Sequence, residues 1–351
     1  MEQFSIMKVT LSVVIPIYNT PYHLLEHCLT SIHNNIKDMK DVEVLMINDG
    51  STEPYIVPLL QEKAQVDCRF RYIDKPNSGV SNTRNMGIEL SQGEYIAFVD
   101  ADDYFEPNAL QYMLETTKKE KADVAMFGFC KNNDLIERET LRQRVEVNEE
   151  VMHTLFRNDM SRWYKYGLNL AAVWAKLYKR SVILQNHVSF IQDIAPNEDG
   201  FFNLCLLSNL SSFYVDNTLV YHYVIHEKSA IHKFSNFDIR ISEPLLTMLD
   251  NQAKTLYPNN ADFIADICYR ILRVVRSAKY KYFIHPQNEK SFRELKLEMD
   301  DFLSTPIMRK YIKKTPFREA KYRIGLKNAI LLKLHLYWIV LITERRRMSY
   351  E

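Results

Sequence analysis

Residues 11–128 alternate short apolar runs with segments of helical periodicity, and this alternation constrains the fold more than any other feature of the chain. The first run, Leu11–Ile17, is followed by a helical pattern that extends to about His33. Four further apolar runs begin at Val42, Arg69, Tyr95 and Asp123. Strands that alternate with helices in this way are typical of a mainly parallel sheet covered by helices.

The alternation stops near Asn132, and the remainder of the chain has a different pattern. Residues 132–235 mix helical and strand signals, with a pair of strands predicted at Phe213–Val215 and Leu219–Ile225. From about Asn236 onward helical periodicity dominates, and it is interrupted by prolines. The pattern therefore predicts a separate helical region at the C-terminal end.

Composition and charge narrow the classes of function. The chain is 46% hydrophobic and 25% charged, as foldable globular chains are. Its formal net charge of +1 gives no electrostatic case for binding nucleic acid. The five cysteines are widely spaced without a Cys-x-x-Cys pair, which favours a reduced cytosolic compartment over disulfides or a structural zinc site. No window reaches the roughly 18 apolar residues of a membrane span.

Three polar clusters follow predicted strands, and ligands of open parallel sheets bind at the carboxyl ends of strands. The clusters are Tyr18-Asn19, Asp49-Gly50-Ser51 and Asp100-Ala101-Asp102-Asp103. Neighbouring carboxylates repel one another unless a cation or a donor compensates them, and oxygen ligands suit Mg²⁺ or Mn²⁺. The acidic tetrad is therefore either a divalent-ion site or the cap of a helix that begins near Pro107.

Four ordered segments resemble the signatures of family-2 glycosyltransferases, and the last of them carries the Asp-x-Asp motif of that family. They are Ser12–Asn19, Asn48–Thr52, Asn77–Gly87 and Gly93–Asp103. The similarity continues to about residue 235 through Val173–Arg180, Asn197–Phe202 and Tyr221–Ile231. Four motifs in this order are far more specific than a lone three-residue motif.

The resemblance implies the GT-A fold, in which a Rossmann-like mixed sheet is flanked by helices. We expect this glycosyltransferase domain over residues 1–235, with a nucleotide-binding half at about 1–130 and an acceptor half at about 131–235. A mainly helical region with a basic amphipathic tail is expected over residues 236–351.

The resemblance also implies a metal-dependent, inverting transfer of one sugar from a nucleoside-diphosphate sugar, with UDP as the expected carrier, to a hydroxyl of a saccharide acceptor. The leaving diphosphate gains negative charge, which Mn²⁺ or Mg²⁺ would stabilise, and a carboxylate must take the acceptor proton. Processive members carry Gln-x-x-Arg-Trp among membrane spans. Asp159 stands in place of that glutamine here, so a single transfer is favoured over polymerisation.

The family roles pass to individual residues of this chain by resemblance. The donor nucleotide would contact Pro16, Tyr18, Asn19, Asp49, Asn77, Arg84, Asp100 and Ala101. The metal would be held by Asp102 and His226, and the donor sugar or acceptor would lie near Asp103, Trp174 and Lys176. Asp199 would be the general base, with Glu198 orienting it or contacting the acceptor. The alternatives are a satisfied polar histidine at 226, a buried aromatic at 174 and the acidic first turn of a helix at 198–199. For Asp103 the alternative is a supporting position behind the residues that touch the donor.

The C-terminal segment is both basic and amphipathic. Residues 305–351 contain twelve Lys or Arg and three acidic residues. Apolar residues recur there at helical spacing: Ile330, Leu331, Leu334, Tyr337, Trp338, Leu341 and Ile342. A basic amphipathic helix with Trp and Tyr can lie in the interface of an anionic membrane. The alternative is that the stripe packs onto its own domain or onto a second protomer of a homodimer.

We therefore expect a cytoplasmic protein, peripheral on the inner face of the cell membrane, that acts on a lipid-linked acceptor in bacterial capsule, exopolysaccharide or lipopolysaccharide synthesis. Two other functions stay open. One is a sugar-1-phosphate nucleotidyltransferase, although the loop Tyr18–Pro21 lacks the glycine-rich sequence of that class. The other is a non-catalytic sugar-nucleotide-binding or membrane-docking protein.

Overall fold

The computed structural model describes residues 8–132, 138–194, 197–225, 234, 237–258 and 260–344. The chain divides into two compact units. The sheet unit comprises Met1–Leu155 and Asp159–Ile225, and the helical unit comprises Phe156–Asn158 and His226–Glu351.

The sheet unit is built on a sheet of nine strands. They are β1 Leu11–Ile17, β2 Val42–Asp49, β3 Phe70–Lys75, β4 Tyr95–Phe98, β5 Tyr104–Phe105, β6 Val124–Lys131, β7 Arg142–Glu146, β8 Lys176–Lys179 and β9 Ser212–Tyr223. Their order is β3-β2-β1-β4-β8-β6-β9-β5, and β7 also pairs with β9. The first four strands are parallel, but β8 runs antiparallel to both β4 and β6, so the sheet is mixed. The prediction of a Rossmann-like mixed sheet with a helical C-terminal region is confirmed.

The predicted strand pair at 213–225 is wrong, because this segment forms the single strand β9. It runs parallel to β6, and the register between the two strands shifts on both sides of Gly128. A Cβ atom at Gly128 would lie 2.3 Å from the carbonyl oxygen of Asn217. The interruption between the two predicted strands is therefore a bulged pairing within one continuous strand.

Helices surround the sheet as the alternating pattern predicts. They are α1 Tyr22–Ile36, α2 Ile56–Val66, α3 Val80–Leu90, α4 Ala109–Lys119, α5 Glu149–Arg157, α6 Ser161–Tyr164, α7 Arg180–Gln185 and α8 Glu198–Leu207. In α1 the buried residues Leu25, Leu29, Ile32 and Ile36 recur at helical spacing. This stripe joins the apolar side chains of β1 and β2 in the core of the sheet unit.

The helical unit contains α9 Phe237–Leu256, α10 Ala261–Ala278, a π-helical turn at Lys279–Phe283, α11 Phe292–Ser304, α12 Pro306–Lys314, α13 Phe317–Ile324, α14 Leu326–Lys333 and α15 Ile339–Thr343. The largely buried α10 packs against α9, α12 and α13. Pro306 is the first residue of α12 and Pro316 directly precedes α13, where proline is compatible with a helix. None of the helices described here combines the length and the hydrophobicity needed to cross a bilayer.

The predicted single amphipathic helix at the C-terminal end is wrong, since α14 and α15 are separate. A turn divides them, and His335 has a φ of 58° there. Tyr337 and Leu341 of the predicted stripe are buried in the helical unit, whereas Leu334 is exposed. Periodicity alone did not reveal this break, because the turn uses no glycine or proline.

The carboxyl ends of β2 and β3 are brought together by a glycine. Gly50 has a φ of 67°, and a Cβ atom there would lie 2.6 Å from the backbone nitrogen of Asn77. Both the left-handed conformation and the close approach of two backbones therefore require glycine at this position.

We expect Gly50→Ala to lower the free energy of unfolding by roughly 2–4 kcal/mol, because it adds backbone strain and a steric clash. Gly79→Ala is the matched control, since Gly79 has a φ of 87° but nothing lies within 4 Å of its Cβ position. Urea denaturation of both variants measures the difference. Equal losses of stability would show that the contact with Asn77 contributes nothing.

Candidate active site

A buried arginine of α3 joins three carboxylates of the sheet unit. The side chain of Arg84 is 4% exposed. Its Nη1 donates hydrogen bonds to Glu198 Oε1 at 2.9 Å and to Asp199 Oδ1 at 2.6 Å. Its Nη2 donates to Asp100 Oδ1 at 2.8 Å. Since a buried charge must be paired, Arg84 holds the end of β4 and the first turn of α8 together.

The same helix fixes the segment that precedes α8. The side-chain amide of Asn85 donates to the carbonyl of Phe190 and accepts from its N–H, both at 2.8 Å. The hydroxyl of Ser81 donates to the carbonyl of Ile191 at 2.9 Å. The Arg84 guanidinium lies 5.4 Å from the centre of the Phe190 ring. The third sequence signature therefore positions the chain that leads into the predicted general base.

Asp199 has the environment of a base that works near neutral pH. Its Oδ1 accepts from Arg84, and its Oδ2 accepts from the N–H of Val173 at 3.3 Å. Burial raises the pKa of Asp199 to about 7; Arg84 opposes this rise, while Glu198 and Asp100 add to it. A carboxylate with such a pKa can take a proton from a hydroxyl and release it again at physiological pH.

Asn203, which the sequence reasoning missed, supports this arrangement from within α8. It is fully buried, and its Nδ2 donates to the carbonyls of Ala171, Ala172 and Asp199. Its Oδ1 accepts from the Tyr178 hydroxyl at 2.9 Å. These bonds hold the loop that carries the Val173 N–H against α8. The available signal was a single amide within the apolar run Phe201–Leu207.

Lys176 is part of the scaffold rather than of an open acceptor surface. It is 2% exposed, and its Nζ donates to the carbonyls of Asn169, at 2.5 Å, and Ala172. Burial lowers the pKa of Lys176 to about 7, against the attraction of Asp199. The prediction that Lys176 contacts the acceptor is therefore not supported by its position.

Trp174 is likewise buried, in agreement with the alternative that it is an aromatic residue of the core. It is 6% exposed, and its ring stacks on Tyr221 with centroids 5.1 Å apart and on Tyr223 at 5.7 Å. Phe129 meets it edge-on at 4.7 Å. The ring thus belongs to the core, and the prediction that it stacks on an acceptor sugar is wrong for this conformation.

The acidic tetrad is not a helix cap, because α4 begins at Ala109 and follows Asn108. Asp103 is buried, and its oxygens accept from the Tyr221 hydroxyl and the Val224 N–H, both at 2.8 Å. This buried position favours the alternative that Asp103 supports its neighbours from the interior over a direct contact with the donor sugar. Burial raises the pKa of Asp103 well above its usual range, and Asp100 and Asp102 raise it further.

The two remaining acids of the tetrad lie closer to solvent. The side chain of Asp100 is 30% exposed, and Asp102 is half-buried. Their effect on Asp103 shows that negative charge is concentrated at the end of β4, which suits a divalent cation. Within the described ranges no group of three or more His, Cys, Asp or Glu side chains is arranged to hold a metal. A metal here would therefore take most of its ligands from phosphate and water. His226 lies outside the described residues.

Most of the residues predicted to contact the nucleotide lie at or just after the carboxyl ends of β1, β2, β3 and β4. Asp49 is buried and accepts from the N–H groups of Ser78 and Gly79 at 2.8 and 2.9 Å, and from Lys75. Any bond from Asp49 to a base would therefore use a lone pair that these donors leave. Of the others, Tyr18 and Asn77 are exposed, Pro16 is half-buried and Ala101 is buried.

Asn19 connects the loops that follow β1 and β2. Its Oδ1 accepts from the N–H groups of Thr52 and Glu53 at 2.8 and 3.2 Å. Its own N–H donates to the Ser51 hydroxyl at 3.1 Å. The residue has a φ of 49°, which asparagine tolerates better than most residues do. Asn19 therefore shapes the rim of the predicted nucleotide pocket.

Known proteins are similar to this chain in sequence and in fold. The family model described as glycosyl transferase family 2 matches residues 12–185. A Bacillus subtilis (strain 168) protein named glycosyltransferase EpsH is 29% identical over 259 residues, covering 71% of this chain and 70% of that protein. The poly(ribitol-phosphate) beta-glucosyltransferase of Bacillus spizizenii is 28% identical over 218 residues, covering 61% of this chain and 32% of that protein.

A solved structure extends the similarity of fold to nearly the whole chain. The crystal structure of S. aureus TarS residues 1–349 in complex with UDP-GlcNAc superposes with a TM-score of 0.64. The sequences are 17% identical, and the match covers 96% of this chain and 92% of that one. With the ordered signatures and the arginine-linked carboxylates, these similarities show that the chain is a glycosyltransferase of family 2 with the GT-A fold.

Proposed function

We propose that this enzyme transfers one sugar from a UDP-sugar to a hydroxyl of a saccharide acceptor, with inversion at the anomeric carbon. The observation that carries the proposal is the carboxylate triad that Arg84 joins. Asp199 is the base, and Asp100 stands at the strand end where open sheets bind nucleotides. The similarity in fold to a TarS structure that holds UDP-GlcNAc supports a UDP-sugar as donor.

Direct displacement needs a proton acceptor on one side of the sugar and charge stabilisation on the other. Asp199 takes the proton of the attacking hydroxyl, and Arg84 and Val173 hold its carboxylate in place. Glu198 Oε2 is buried and has no hydrogen-bond partner within the described residues, so it can accept a bond from the acceptor. Asp100 binds the donor ribose.

Asp102 would hold Mn²⁺ or Mg²⁺, with the donor diphosphate as co-ligand. When bound, the ion supplies positive charge that stabilises the leaving diphosphate. This proposal is supported by the oxygen-only donor set and by the concentration of carboxylates around Asp103. A sugar-1-phosphate nucleotidyltransferase has no observation in its favour, and transfer activity would exclude a non-catalytic protein.

We further propose that the acceptor is lipid-linked and belongs to a bacterial surface polysaccharide, which places the enzyme at the inner face of the cell membrane. The names of the relatives support the polymer class. The helical unit exposes Ile330, Leu334 and Ile342, and the chain around them is rich in lysine and arginine. Such a surface suits an anionic bilayer. Alternatively, a second protomer of a homodimer covers this surface.

Activity should depend on a divalent ion and on Asp102. With a panel of UDP-sugars and Mn²⁺, we expect UDP release that a chelator abolishes and that Asp102→Ala lowers by about 100-fold or more, because charge stabilisation of the leaving group is lost. Asp301→Ala changes an exposed aspartate of the helical unit and should behave like the wild type. Full activity of the Asp102 variant, or activity with chelator, would refute the metal role.

Transfer should increase with pH up to about 7 and then level off. Asp199 acts as a base only when it is deprotonated, and its raised pKa leaves it mostly protonated below that pH. We expect Asp199→Asn to reduce kcat by about 100-fold or more at every pH. Glu198→Gln should move the midpoint of the profile of kcat/KM to lower pH, because the charge of Glu198 raises the pKa of Asp199. A flat profile from pH 5 to 8 would contradict this assignment.

The exposed apolar residues should govern membrane binding. We expect the full chain to float with phosphatidylglycerol vesicles, and the triple variant Ile330→Ser, Leu334→Ser, Ile342→Ser to float several-fold less. Leu297→Ser is the control, since Leu297 is an exposed leucine of α11 in the same unit. Equal flotation of all three proteins would rule out this surface, and the size of the protein in solution would then test the homodimer.

A further inference from the structure

The helical unit contains a cavity of about 230 Å³ with three cationic side chains in its wall. They are Arg276 of α10, Lys279 of the π-helical turn and Arg323 of α13. Gly325, Asn328 and Tyr337 also line the cavity. The volume lies below the roughly 300–1,000 Å³ of pockets for drug-sized ligands, so it fits a small group. Every lining residue belongs to the helical unit, so the cavity shares no residue with the carboxylate cluster around Arg84 in the sheet unit.

Two buried polar atoms of this wall have no partner within the described residues. Tyr337 is 3% exposed, and its hydroxyl makes no hydrogen bond. Asn328 donates through Nδ2 to the carbonyl of Ile324 at 2.8 Å, but its Oδ1 has no donor. Buried polar groups are normally satisfied, and leaving them unsatisfied is costly. A ligand that accepts from the tyrosine and donates to the asparagine would satisfy both.

The start of α14 adds backbone donors to the same wall. Gly325 directly precedes this helix, with a φ of 84°, and no side chain caps the helix. The space where a Cβ atom of Gly325 would lie is open to 4 Å. The first N–H groups of a helix have no acceptor within it, and together with the helix dipole they favour an anion.

The charges of the wall are only partly neutralised. Lys279 pairs with Glu344 at 2.5 Å, and Arg323 pairs with Glu319 at 2.8 Å. Arg276 is exposed, and no carboxylate in the described part of the chain forms an ion pair with it. One unpaired guanidinium therefore remains beside the helix start and the tyrosine hydroxyl.

We propose that this cavity binds the phosphate group of a phosphate ester that carries a neighbouring hydroxyl, such as a polyol phosphate. Arg276, the first N–H groups of α14 and the Tyr337 hydroxyl donate to the phosphate oxygens. The ligand hydroxyl donates to Asn328 Oδ1 while the phosphate oxygens accept from the other donors, so that the ester uses both parts of the wall at once. The site goes beyond sugar transfer, because it uses none of the residues assigned to the donor or the base.

The test is calorimetric titration of the full-length protein with sn-glycerol 3-phosphate. We expect binding that is several-fold tighter than that of inorganic phosphate, and none with glycerol. Arg276→Gln should weaken it about tenfold through loss of a charge-assisted hydrogen bond. Tyr337→Phe should weaken it several-fold without lowering the melting temperature of the unliganded protein, since the hydroxyl has no partner to lose.

Arg318→Gln is the matched control, because Arg318 is an exposed arginine of α13 that does not line the cavity. If Arg318→Gln weakens binding as much as Arg276→Gln does, the effect is general charge and the proposal is overturned. Absence of binding at millimolar glycerol phosphate overturns it as well. Asp102→Ala should bind normally, so a failure of the proposed transfer chemistry leaves this result distinguishable.

The source of the phosphate ester follows from a competition experiment. Phosphatidylglycerol vesicles are added to the wild type and to Arg276→Gln, each with and without glycerol phosphate. If the vesicles displace glycerol phosphate from the wild type, yet bind both proteins equally well when glycerol phosphate is absent, they adsorb only to the surface, which counts against the cavity. Displacement that Arg276→Gln abolishes supports the cavity and assigns it to a lipid headgroup. Vesicles without effect, with glycerol phosphate still bound, support a soluble or polymer-borne ester.

Discussion

A guanidinium in the interior of a protein requires anions around it, and Arg84 obtains them from two distant parts of the chain. Asp100 follows the central strand β4, whereas Glu198 and Asp199 begin α8 about a hundred residues later. Because the arginine cannot lose its proton, the three carboxylates must assemble about it whenever the sheet unit folds. The arginine can therefore be buried only when the three carboxylates of the site surround it.

The consequence for chemistry lies in the balance of charge. One cation is shared by three acids, so negative charge remains in excess, and burial makes the excess hard to tolerate. Asp199 responds with a pKa raised to about 7, and Asp103 with one raised well above its usual range. The first shift suits the proposed role of Asp199 as a base, and the second reflects the negative charge that surrounds Asp103 at the end of β4. Both pKa shifts thus follow from burial beside other carboxylates.

Several side chains in and near the signatures are buried in the surrounding scaffold. Lys176 and Asn203 bind backbone carbonyls of one loop, and that loop presents its N–H to Asp199. Trp174 packs on two tyrosines, one of which also donates to Asp103. These side chains hold the surrounding backbone and neighbouring side chains in place. A sequence motif can therefore include them without their contacting a ligand.

The sequence by itself determined the alternation that produces the sheet, the order of the four signatures and the identity of the acids at the strand ends. These are local properties: β1 and β2 are largely apolar runs, Asp49 is the last residue of β2, and Asp100 follows β4 by two residues. Tertiary structure alone decided that Arg84 faces the carboxylates, that Trp174 and Asp103 are buried, and that Asn203 holds the loop beside Asp199. It also divided the C-terminal stripe into two short helices and left Tyr337 facing a cavity. Burial and pairing between residues far apart in the chain are set by packing, and no periodicity in the sequence encodes them.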